Sequence, residues 1–97
     1  MRIRVIQSGG LPGLRREFAV DSSRLRTEDA GELARLVKAA GFFSLPVHRL
    51  SRLPDVLQYE VHVEDDGGRG REIKFDDQTG EPFLLELVDR VRVLARS

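Results

Sequence analysis

The sequence predicts an α+β fold of order ββαββα, a four-stranded antiparallel sheet with two helices packed on one face. Three observations carry this expectation. Apolar and polar residues alternate in two pairs of segments, glycine-rich connections separate the members of each pair, and an apolar stripe at helical spacing follows each pair.

Ile3 and Val5 alternate with Arg2 and Arg4 in the first strand. Gln7-Ser8-Gly9-Gly10-Leu11-Pro12-Gly13 then places three glycines and a proline in one short connection, which reads as a loop. Leu14, Arg16, Phe18 and Val20 alternate with Arg15, Glu17, Ala19 and Asp21, so a second strand returns and forms a hairpin with a long tip. Asp21-Ser22-Ser23 breaks that pattern, and Thr27 reads as the cap of a helix over about 28–40, with Glu28 and Asp29 in its first turn where carboxylates favour the helix dipole. Ala30, Leu33, Leu36, Val37 and Ala40 form its apolar stripe and Gly41 closes it.

Phe42, Phe43 and Leu45 follow, and Pro46 and Pro54 bracket a stretch that fits neither period, a loop pinned by its aromatics. Leu57, Tyr59, Val61 and Val63 alternate with Gln58, Glu60, His62 and Glu64; Asp65-Asp66-Gly67-Gly68 turns the chain; Ile73 and Phe75 alternate with Glu72 and Lys74. Pro82 suits the first position of a closing helix whose stripe is Leu84, Leu87, Val88, Val91, Leu94 and Ala95. If the strand parity holds, the uncovered sheet face carries Arg15, Glu17, Gln58, Glu60, His62 and Lys74.

The 97 residues, 40% apolar and 33% charged, are read as a single domain spanning residues 1–97. Sixteen basic residues balance sixteen acidic ones, so the basic excess that phosphate neutralisation demands is missing and nucleic acid is not an expected partner. No apolar run is long enough for a bilayer, the opening Met-Arg-Ile-Arg-Val-Ile does not read as a signal peptide, and there is no cysteine. A cytoplasmic protein without membrane contact is expected.

Catalytic and metal motifs are equally scarce. His48 and His62 lie in different segments and belong to no zinc-ligand spacing, and each reads better as an ordinary loop or strand histidine. Asp65, Asp66, Asp76 and Asp77 lack the calcium-loop pattern and read as turn formers. No serine sits in a nucleophile elbow, and Gly9-Gly10 is followed neither by Lys-Ser/Thr nor by a helix, as a phosphate loop would be. The expectation is no enzyme, no cofactor and no metal. What remains is the tip from Ser8 to Leu14, where glycines permit unusual backbone angles, Pro12 limits flexibility and two leucines occupy exposed positions unless they fold back on the core.

Gln7-Ser8-Gly9-Gly10-Leu11-Pro12-Gly13-Leu14-Arg15-Arg16, together with Gly41-Phe42-Phe43-Ser44-Leu45-Pro46 after the first helix, resembles the emfourin family over nearly the whole chain. Those are small bacterial proteins, typically encoded beside protealysin-like proteases, that inhibit thermolysin-type (M4) zinc metallopeptidases. The resemblance implies a non-enzymatic inhibitor, a monomer when free, that blocks an M4 active site with the loop Ser8, Gly9, Gly10, Leu11, Pro12, Gly13 and Leu14. Thermolysin-type enzymes prefer a large apolar side chain just after the scissile bond, which Leu11 or Leu14 would supply. A competing expectation is a non-catalytic interaction module, or an oligomeric structural protein, that pairs through a sheet face or an exposed strand edge.

Overall fold

Alternating apolar residues produce strands only when neighbours complete their hydrogen bonds, and the ladder order found here is β2-β1-β4-β5-β3. The computed structural model describes residues 1–10, 15–52 and 56–95. Within them β1 is Arg2–Gly9, β2 is Arg15–Asp21, α1 is Thr27–Ala40, β3 is His48–Arg49, β4 is Leu57–Glu64, β5 is Gly70–Asp76 and α2 is Pro82–Ala95. β1 pairs antiparallel with both β2 and β4, and β4 pairs antiparallel with β5.

The inward face of the sheet carries Ile3, Val5, Tyr59, Val61, Val63, Ile73 and Phe75, all buried. Leu33, Leu36, Val37 and Ala40 of α1 and Leu84, Leu87, Val88 and Val91 of α2 complete the same cluster, so both predicted stripes face the core. Asp29 and Arg90 join the two helices at 3.6 Å. Gly41, in the left-handed region at φ +63°, ends α1 by donating to the Lys38 carbonyl, and the next residue, Phe42, turns into the core.

Three details depart from the expectations. The sheet has five strands, not four, and is mixed, because His48–Arg49 runs parallel to β5. A parallel pair needs no tight turn, and two residues are too few to display an alternation. Backbone hydrogen bonding holds the pair in place, with the Lys74 N–H donating to the Val47 carbonyl at 2.8 Å. Secondly, Thr27 is the first residue of α1; Arg26 occupies the cap position, without a side-chain bond. Thirdly, the Ser22–Arg24 and Phe42–Ser44 segments are single 3-10 turns, the first capped by the Asp21 carboxylate accepting from the Ser23 N–H at 3.0 Å. The chain reversal at Asp65 forms as expected: that carboxylate accepts from the N–H groups of Gly67 and Arg69 at 3.0 and 2.9 Å.

Candidate functional site

Because β1 lies between two strands, the stem of the tip is clamped on both sides. Ser8 stands opposite Arg15 on β2 and Gln58 on β4, and Gly9 stands opposite Leu57. One residue below, Gln7 points to the covered face, where its Oε1 accepts from Arg92 of α2 at 2.8 Å. The same guanidinium lies 5.7 Å from the Phe18 ring centroid and binds Asp89 at 3.0 Å, so α2 braces both strands of the hairpin. Gly9 and Gly10 leave the stem at φ +89° and +73°. Only glycine enters this region freely, so the direction in which the tip departs depends on these two residues. Of the predicted contact loop, the structure places Ser8, Gly9 and Gly10 together at the end of β1; Leu11, Pro12, Gly13 and Leu14 lie outside the described residues.

The ladder register brings two further segments to the same end of the sheet. Leu57 begins β4 beside Gly9, and its carbonyl accepts from the Asp77 N–H at 3.0 Å, which ties β4 to the turn after β5. That turn is organised by Asp76, whose side chain is wholly buried. One carboxylate oxygen accepts from the N–H groups of Gln78 and Thr79 at 2.8 and 3.0 Å, and the other accepts from the Ser51 N–H at 2.5 Å. The Thr79 hydroxyl donates in turn to the Arg49 carbonyl. Asp76 therefore fastens the segment after β3 and the turn before α2 to the sheet, next to the root of the tip. Composition had marked it only as a turn former.

Burial, the largest influence on Asp76, raises its pKa, but the Ser51 hydroxyl beside it and the N–H groups of Ser51, Gln78 and Thr79 outweigh that and hold the carboxyl at about 2. The Ser51 hydroxyl oxygen is itself buried without a partner of good hydrogen-bond geometry, so the backbone donors are the secure part of this effect. A carboxyl with a depressed folded pKa contributes stability that is complete above its unfolded value and is lost as pH falls through the folded one. Asp76 should thus contribute roughly 1–2 kcal/mol at neutral pH, fading below about pH 4 and gone near pH 2. In urea titrations the stability gap between wild type and Asp76→Asn should narrow by that amount between neutral pH and pH 2. A gap independent of pH would show that the carboxylate charge is not what holds the junction.

The uncovered face carries Arg15, Glu17, Gln58, Glu60, His62 and Lys74, as the alternation predicted. Ile6 emerges there too, in register with Glu17 and Glu60, and is only 7% exposed. Long neighbouring side chains cover it, an apolar contribution that their charges conceal in the sequence. Arg4 pairs with Glu17. Glu60 is held below the usual carboxylate range by its hydrogen bond with Glu72, against the effect of burial, with His62 and Lys74 adding to the lowering.

The architecture so described is an α+β fold whose two helices cover one side of a mixed sheet and whose strand β1, ending at Ser8 and Gly9, is paired on both sides. The chain belongs to the Emfourin family, whose model matches residues 5–92 and so spans the tip, its stem and both helices nearly to their ends. Neither the curated proteins nor the solved structures provide a match. Membership points to a metallopeptidase inhibitor, a role exercised on a protein partner. Among the described residues no helix is long and apolar enough to cross a membrane.

Proposed function

We propose that the protein inhibits a thermolysin-type (M4) zinc metallopeptidase by inserting the 8–14 tip into the active-site cleft, acting as a monomer without catalysis of its own. The observation that carries this reading is the family match across residues 5–92. The stem supports it physically. A loop whose root is paired on both sides and braced by Arg92 loses less conformational freedom on binding than a free segment of equal length. The edge strand β2 argues against the sheet-pairing alternative, because Arg15, Arg16, Glu17 and Asp21 present the charges by which edges resist strand addition.

The test is an assay of a purified M4 protease with the protein added, comparing wild type with Leu11→Ala and Leu14→Ala. Burying one leucine in the pocket after the scissile bond stabilises a complex by about 1.5–3 kcal/mol, so at least one variant should raise the inhibition constant roughly 10- to 150-fold. Its melting temperature should stay close to that of the wild type. Wild-type inhibition by both variants would move the contact surface off the tip; no inhibition by the wild type would remove the M4 target itself.

A further inference from the structure

Glu60, His62 and Glu72 serve neither the core nor the tip, yet the strand register makes them neighbours on the uncovered face. His62 stands directly opposite Glu72 across the β4–β5 ladder, and Glu60 precedes His62 by two residues on the same face. The imidazole lies between the two carboxylates: Glu60 Oε1 is 2.9 Å from Nε2 and Glu72 Oε2 is 3.6 Å from Nδ1. One ligand atom from each of the three residues lies within 4.8 Å of the others.

Lys74 acts on Glu60 from across the ladder, yet no described lysine or arginine closes to ion-pair distance of the group. Among the described residues no Lys or Arg nitrogen comes within 4.0 Å of either carboxylate; Arg4, directly across the ladder from His62, pairs with Glu17, and Lys74, opposite Glu60, forms no ion pair with it. Two carboxylates and one imidazole therefore face one another and offer three donor atoms.

We propose that Glu60, His62 and Glu72 bind a divalent first-row transition ion, for which Zn²⁺ is the natural probe. Imidazole nitrogen with carboxylate oxygen is a donor set this ion accepts, and ligands at about 2.0–2.2 Å in a tetrahedron lie roughly 3.4 Å from one another. Closing from the present separations requires only that one glutamate swing round the ring to the nitrogen that the other already faces. The three side chains are 31%, 29% and 42% exposed for His62, Glu60 and Glu72, so the fourth position opens to solvent and is free for water or for a donor from a partner. No ligand spacing is legible along the chain here because Glu-x-His supplies only two donors; the third arrives from the next strand. His62 lies five positions along β4 from Leu57, about 17 Å, so the ion would not touch the tip and its binding is independent of inhibition.

Titration of the full-length, metal-free chain with ZnCl₂, followed by calorimetry and by elemental analysis after gel filtration, tests this. One equivalent should bind, with a rise in melting temperature. His62→Ala and the isosteric Glu72→Gln should each weaken binding about tenfold or more, whereas His48→Ala should bind as the wild type does. Failure of the wild type to saturate below about 1 mM, or an unchanged affinity in both His62→Ala and Glu72→Gln, would overturn the assignment.

Discussion

Phe42→Ala is expected to cost about 3–5 kcal/mol, a large share of the roughly 5–15 kcal/mol by which chains of this size are folded. The ring is 1% exposed and enters the core directly after the glycine that ends α1. Its position is set on both sides. Gly41 reverses the backbone before it, and Arg71 of β5 donates to the Phe43 and Leu45 carbonyls behind it, so the segment is tied to the sheet and has little freedom to collapse into the space an alanine would leave. The melting temperature should therefore fall by at least about 12 °C. Phe43 provides the control. Its ring packs edge-on against Phe42 at 5.5 Å and beneath the Arg69 guanidinium at 4.4 Å, but it is only partly buried, and Phe43→Ala should cost about 1 kcal/mol. Equal losses in calorimetry for the two variants would contradict the placement of Phe42 as a core anchor.

What could be read in advance follows from where the information lies. Val61 and Val63, or Leu84, Leu87, Val88 and Val91, reveal their side of the fold through their spacing, because burial against a sheet or a helix repeats along a few consecutive residues. Asp76 reveals nothing of the kind. Its importance comes from Ser51, twenty-five residues earlier, and from the turn that follows, and no local pattern records that a carboxylate will be buried among backbone donors from two segments. Arg71 is similarly silent: it looks like a solvent-facing charge, yet it satisfies two carbonyls of the segment after α1. The same reasoning covers β3, which is too short to display a period, and Glu72, whose nearness to His62 is a product of register. As for the site, the glycines marked the tip correctly as a place of unusual backbone. The pairing of β1 on both sides, which holds Ser8 and Gly9 at the root of the tip, depends on β4, whose position beside β1 no local pattern announces.

Gly9→Ala should have the largest effect on inhibition, and the reason is geometric. At φ +89° an alanine is strained by about 1–2 kcal/mol, and its Cβ would stand 2.5 Å from the Val56 carbonyl oxygen, a backbone atom that cannot be moved without shifting the start of β4. The stem must therefore open or the tip must leave it in another direction. Gly10→Ala separates these effects. At φ +73° it meets a comparable backbone strain, but the nearest atom to its Cβ is Leu57 Cδ2 at 3.5 Å, an ordinary contact. We expect Gly10→Ala to lose about 1–2 kcal/mol of stability and Gly9→Ala more, roughly 2–4 kcal/mol, because the clash adds to the strain. Measured at a temperature where circular dichroism shows both variants folded, Gly9→Ala should raise the inhibition constant about 100-fold or more, while Gly10→Ala should have a smaller effect. If folded Gly9→Ala inhibits as tightly as the wild type, the direction of the tip is immaterial to the complex, and residues 8–14 are not the segment that enters the protease.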